Sequence, residues 1–299
     1  MKRIGILLLV ALFLSGALIG CSSEGSSTQG EGDFKQSITF KGSSTLAPVI
    51  SAISTEFIEE YGTWDNVDGE FPEKSVDIFV SAGGSGAGVK SVIENTSDFG
   101  MSARNVKDEE KDQIEDYQEL ILGVDALTIS VNPENPLLDI KDGLTTEEIV
   151  KLFSGEYKYW DELDSSLPHN EVVVVIRDLG GGAHGVFQDN VMGDVEVRED
   201  AIQAPSMGAL GAKIIENKFA IGYASVGVVN QNPGQIVPLK VDGVEPTAEN
   251  IVSGTYTISR PLVVLYSGEL SKQEQIFVDY MMSEEGMAII EEMGFVPAK

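Results

Sequence analysis

The chain is poor in the residues that most metal and redox chemistry requires. Its 299 residues include one cysteine and two histidines, His169 and His184. That excludes an intrachain disulfide framework and a cysteine-rich zinc or iron–sulfur site, and it leaves a histidine-based catalytic metal centre short of ligands. Positive charge is scarce as well: 20 Lys and Arg stand against 48 Asp and Glu, for a net charge of −28. A surface of that sign repels phosphate backbones and anionic headgroups, which argues against nucleic-acid binding and against a basic membrane-surface role. No Gly-Lys-Ser/Thr occurs, so there is no Walker A nucleotide site. Carboxylates are many, but no spacing singles out an acid–base pair or a nucleophile beside a base. No catalytic residue, metal or cofactor is therefore expected.

What is present begins at the N-terminus. Lys2 and Arg3 precede an uncharged apolar run over 4–19, then Gly20 and Cys21. This is the layout of a secretory signal, and the run is short of the roughly 20 residues a spanning helix needs. The Leu18-Ile19-Gly20-Cys21 ending resembles the lipobox of prokaryotic lipoproteins. That resemblance implies a signal peptide over 1–20, lipidation of Cys21, and an extracytoplasmic protein anchored to the cell membrane. Residues 21–33, rich in Ser, Gly and Glu, read as a flexible tether.

From residue 37 onward short apolar strands alternate with helical stretches, the pattern of an α/β fold. Strands are expected at 37–40, 76–80, 98–101, 172–176, 220–224 and 260–266. Helices are expected at 47–61, up to 94, 145–153, 185–191, 208–217, 272–282 and 284–293. Two long β-favouring runs, 120–131 and 256–266, fall where a discontinuous two-lobe protein needs its crossings. One lobe then holds 34–123 plus 258–299 and the other 124–257, with a cleft between them.

Three segments place glycine or hydroxyl residues at helix starts: Gly42-Ser43-Ser44-Thr45, Gly84-Ser85-Gly86-Ala87-Gly88 and Gly180-Gly181-Gly182-Ala183. Each is either a simple N-cap or an anion site, because a helix N-terminus offers free N–H donors and partial positive charge. Three in one chain favour a shared anionic ligand. Gly180, Gly182 and Gly185 also fit G-x-G-x-x-G, but Arg177-Asp178-Leu179 intervenes between strand and glycines, which counts against a dinucleotide site. Arg177 ends a very apolar strand, so it needs solvent, an ion-pair partner or an oxyanion. His184 reads as a solvent-facing helix residue, with a base or an added anion donor as the alternative; His169 and Lys90 carry no special signal.

At these residues the chain resembles the phosphate-binding proteins of the high-affinity phosphate ABC transporter. The resemblance runs through Gly42 to Pro48, Gly84 to Lys90, Asp98-Phe99-Gly100-Met101-Ser102, the Arg177 to Gly185 loop, Ile221-Gly222-Tyr223 and Ser259-Arg260-Pro261-Leu262. It implies a two-lobe, type II-like periplasmic binding protein fold with two crossover strands at the hinge. It further implies a monomer that captures inorganic phosphate and delivers it to permease subunits. Carried over by position, Ser44 and Ser85 are hydroxyl donors, Thr45 a backbone donor and Arg177 the cationic donor. Gly181, Gly182 and Ala183 offer backbone N–H groups, and Ser102 completes the expected set. The chain departs from the family pattern at Leu179 and Ala103, where the best-known subgroup has carboxylates, and at Gly181 and Ala183, where the family has hydroxyls. An acceptor carboxylate selects protonated phosphate over sulfate; Ser102, Arg104, Asp178 and His184 are the groups nearby in sequence that could replace it. A receptor for another oxyanion, such as sulfate or molybdate, or a sensor or adhesion protein on the same scaffold, is the alternative.

Overall fold

A computed structural model describes residues 34–298. The expected signal peptide, Cys21 and the tether lie outside the described residues. Eight strands carry the fold: β1 Ser37–Gly42, β2 Asp77–Ala82, β3 Phe99–Ser102, β4 Tyr117–Val131, β5 Val173–Arg177, β6 Ile202–Ala204, β7 Ala220–Ser225 and β8 Ser259–Ser267. The longer helices that position the site are α1 Leu46–Tyr61, α2 Ser85–Ile93, α3 Thr146–Ser154, α4 Gly182–Phe187, α5 Met207–Glu216, α6 Lys272–Met281 and α7 Glu284–Glu292.

Local sequence explains most of these elements. In β1 every second side chain is buried, including Ile38 and Phe40, as a period of two requires. All six residues of β7 are buried, which suits a strand covered on both faces. Along α1, Leu46, Val49, Ile50, Ile53 and Phe57 share the buried face at helical spacing. Pro48 is accommodated in its first turn, where N–H groups have no intrahelical acceptor. Thr145 caps α3 by accepting from Glu148 N–H, one residue before the expected 146/147 start, and Glu148 reaches back to complete the capping box.

The strands form one mixed sheet in the order β2-β1-β3-β8-β4-β7-β5-β6. β1 runs parallel to β2 and β3, and β5 parallel to β6 and β7. The centre is antiparallel: β4 pairs with β8 along its first part and with β7 from Leu127 to Val131. The buried hydrophobic residues form three clusters along this strand. Leu122 and Leu262 pack with α1, α6 and α7, Val263 and Leu265 pack with Val89 and Val92 of α2, and Ala126, Leu127, Tyr256 and Ile258 belong to the third. The fold is thus α/β and two-lobed, with β4 and the return through β8 joining the lobes.

The glycine-rich loop departs from expectation. The helix begins at Gly182 rather than 185, and continues from Gln188 to Met192 as a π-helical turn. Glycine's low helix propensity hid that first turn, which tertiary contacts hold in place.

Candidate functional site

Gly42 ends β1 with φ of +139°, and a side chain there would strike Met101 O at 2.2 Å. The chain therefore turns tightly into Ser43-Ser44-Thr45. Ser43 Oγ accepts from Thr45 N–H at 3.2 Å and from Leu46 N–H at 3.3 Å, so it is the capping side chain of α1. Thr45 Oγ1 accepts from Arg260 Nη2 at 2.9 Å. Ser44 Oγ is left to face the other lobe, where it accepts from Arg177 Nη1 at 3.0 Å and from Met207 N–H at 3.3 Å.

The second helix start is equally enclosed. Ser85, the first residue of α2, is buried, and its Oγ accepts from Ala103 N–H at 3.0 Å. Ser102 is buried beside it and donates to Arg104 O at 2.8 Å. Arg104 forks onto Glu110 with two 2.7 Å bonds, and this guanidinium holds the Glu110 carboxyl below the usual range against the cost of burial.

From the second lobe, Arg177 ends β5 at 3% exposure. Besides Ser44 it donates to Asp178 Oδ1 (3.1 and 2.6 Å), Ala204 O (3.1 Å) and Pro205 O (3.2 Å). Gly181 caps α4, but its N–H donates to Asp178 O at 2.8 Å and is not the free donor expected; Gly182 and Ala183 open the helix, and their N–H groups precede any intrahelical acceptor. Gly182 lies against Ser85 across the cleft: a Cβ added there would stand 2.4 Å from Ser85 Oγ. The structure thus brings Ser44, Ser85, Arg177, Gly181 and Gly182 together at one closed junction between the lobes; Thr45, Ser102 and Ala183 lie beside them in the chain, with Thr45 turned to Arg260 and Ser102 to Arg104 O. Beside the junction a cavity of about 460 Å³ is lined by Arg104, Lys107, Gly180, Gly181, Gly182 and Arg260 among others.

Several members of this junction were not singled out by sequence. Arg260 sits opposite Asp125 in the β8–β4 register and donates to its Oδ2 at 2.9 and 2.7 Å. Their side chains are 1% and 0% exposed. Burial pushes the Asp125 carboxyl up and the Arg260 guanidinium down, each opposed by the other's charge. Asp125 Oδ1 has no partner of full hydrogen-bond geometry among the described residues, although the N–H groups of Ala126 and Val226 are close enough to favour its charged form. The signal for this pair was available, since one acid and one base interrupt two apolar strands.

His184 also departs from expectation. It is half-buried rather than solvent-facing, and its Nδ1 lies 3.1 Å from Tyr223 Oη. Desolvation lowers its pKa, opposed by the charges of Glu196 and Asp178. Lys90 pairs with Glu94 on the exposed side of α2, and His169 stacks on Tyr159 beside Asp161, both away from the junction. Leu179 is 63% exposed and Ala103 is buried; neither supplies a polar side chain.

Two α/β lobes joined by crossing strands, with donor loops from both meeting in the cleft, define the class of two-lobe periplasmic binding proteins. Comparison with known proteins agrees. The sequence profile of the PBP superfamily domain matches residues 22–285, and the chain belongs to that superfamily. It is 28% identical to the phosphate-binding protein PstS of Staphylococcus epidermidis, over 99% of this chain and 88% of the relative. Against the protein of the same name from Staphylococcus aureus the identity is 27%, over 94% and 84%. A crystal structure described as a putative phosphate ABC transporter substrate-binding protein with bound phosphate, from Clostridium perfringens, superimposes with a TM-score of 0.76. That match has 29% identity and covers 88% of this chain and 100% of the other.

Proposed function

We propose that the protein captures inorganic phosphate in the cleft between its lobes and delivers it to an ABC permease. The observation that carries this reading is the convergence on Ser44 Oγ of Arg177 Nη1 and Met207 N–H from the opposite lobe, next to the start of α4. An oxyanion there would meet a guanidinium, hydroxyls of Ser44 and Ser85, and the N–H groups of Gly182 and Ala183. Those are local donors, so the −28 net charge is no obstacle to holding an anion. The similarity to the phosphate-binding proteins of Staphylococcus and to the phosphate-bound Clostridium structure supports phosphate as the ligand. Binding by such donors needs no covalent step, and the protein acts as a receptor rather than an enzyme.

Residues 34–123 plus 258–299 form one moving body in this reading and 124–257 the other, closing by a hinge at the two crossing strands. The signal-like segment ending at Cys21 supports an extracytoplasmic lipoprotein. A second reading, a receptor for an oxyanion that carries no proton, is favoured by Leu179 and Ala103, which place no carboxylate at the ligand. Titration calorimetry of ligand-stripped protein with phosphate, arsenate, sulfate and molybdate separates the two. Phosphate binding without a sulfate response supports the first, sulfate binding supports the second, and silence toward all four refutes both.

A further inference from the structure

Tyr223 stands at the meeting point of three second-lobe elements. It lies in the fully buried strand β7, its ring stacks on Phe187 of α4 at 4.3 Å, and it also stacks on Phe153 of α3 at 6.1 Å. Its hydroxyl accepts from the backbone N–H of Arg177 at 3.0 Å and faces His184 Nδ1 at 3.1 Å. One phenol therefore ties the residue that bears the guanidinium to the helix whose first turn is Gly182 and Ala183.

Donor counting fixes the protonation state that this arrangement tolerates. A phenol oxygen has one proton to give, and a buried hydroxyl needs an acceptor. Arg177 N–H occupies a lone pair, and His184 Nδ1 is the available acceptor among the described residues. Neutral imidazole with its proton on Nε2 satisfies Nδ1, the phenol O–H and the Arg177 N–H together. Once Nδ1 is protonated, Tyr223 Oη faces two donors and its own O–H loses its acceptor. We infer that Tyr223 and His184 are positioning residues for the second-lobe donors, and that protonation of His184 releases α4 from that position. The charged groups around the pair do not act in one direction. Glu196 and Asp178 favour imidazolium, whereas burial disfavours it, and burial keeps the phenol protonated although the Arg177 and Arg260 guanidiniums favour its ionised form.

The consequence for ligand affinity rests on the phosphate reading; the pair itself does not. Two measurements therefore go together. The first is NMR of the ligand-free protein. The His184 ring should titrate below the ordinary histidine range, with the Gly182 and Ala183 amides shifting at the same midpoint. Tyr223→Phe, which keeps the ring stack but gives no proton to Nδ1, should raise the His184 midpoint. Amides that ignore the His184 titration, or a midpoint unmoved in Tyr223→Phe, overturn the inference; if that variant fails to fold, the wild-type amide titration decides. The second is phosphate affinity from about pH 8 to about one unit below the His184 midpoint found by NMR, for wild type and for His184→Asn, whose Oδ1 is an acceptor that does not titrate. The ratio of the two dissociation constants cancels the ligand's own ionisation. It should move against wild type by roughly three- to tenfold toward acid, the worth of one hydrogen bond. A flat ratio overturns the acid release. Absence of phosphate binding at every pH defeats the phosphate reading instead and leaves the pair to be decided by NMR.

Discussion

Gly182→Ala tests whether affinity depends on the closed contact. The added Cβ would stand 2.4 Å from Ser85 Oγ, 2.8 Å from Ser85 Cβ and 3.4 Å from Arg104 Cγ. Ser85 cannot swing aside freely, because it is buried and its hydroxyl holds Ala103 N–H. The lobes must instead retreat by about 1 Å, since interiors pack too closely to absorb an extra methyl in place. That retreat breaks the bonds from Arg177 and Met207 to Ser44. One charged and one neutral hydrogen bond are together worth about 2–4 kcal/mol, or roughly 30- to 700-fold in Kd. Gly182 is helical, so alanine brings no backbone strain and each lobe keeps its own core. Gly185→Ala, in the same helix with open space around its Cβ, is the control and should stabilise the protein by about 0.5–1 kcal/mol. The assay is phosphate calorimetry with thermal unfolding of each ligand-free variant. Wild-type affinity in Gly182→Ala, or an equal loss in Gly185→Ala, refutes the argument.

Arg177→Ala removes the charged donor to Ser44 and should weaken phosphate binding by about 1.5–3 kcal/mol in the same titration; unchanged affinity takes Arg177 out of the site. Arg260→Met leaves Asp125 buried without its counter-ion and should cost about 3–5 kcal/mol in urea unfolding, while adding Asp125→Leu should return much of it. A loss below about 1 kcal/mol in the single variant would contradict the pairing. Stability should also respond to His184, whose folded pKa lies below its unfolded value near 6.5. The unfolded chain takes up that proton first, so the contribution is intact above about pH 6.5 and is lost as pH falls toward the folded pKa. The acid limb of the thermal midpoint should be shallower in His184→Asn than in wild type, and identical slopes would exclude this linkage.

Much of the architecture was legible because burial imposes a period. The alternation in β1, the valine run of β5 and the helical spacing in α1 each recorded which face meets the core. The first-lobe and second-lobe donors were legible for another reason: glycine and hydroxyl residues at helix starts have few other uses. What was hidden is set across the fold. Nothing local marks Tyr223 as the partner of Arg177 N–H and His184, which lie 46 and 39 residues away. The helical turn at Gly182 was hidden by composition, since three glycines read as a turn. Arg260 and Asp125 are the intermediate case, visible as charges in apolar strands but meaningful only once the strands are paired.

The antiparallel crossing of β4 and β8 limits what the lobes can do. Ser259 pairs with Ala126, Arg260 with Asp125, Pro261 with Val124 and Leu262 with Gly123, before a register shift at Leu262/Val263. Two hydrogen-bonded strands side by side act as a ribbon, which bends and twists far more readily than it stretches or shears. If the lobes move as proposed, their movement is thereby confined to bending and twisting of this ribbon. Two pairs of fluorophores, placed across the lobes on different sides of the ribbon, would tell the two modes apart by whether their distances change together.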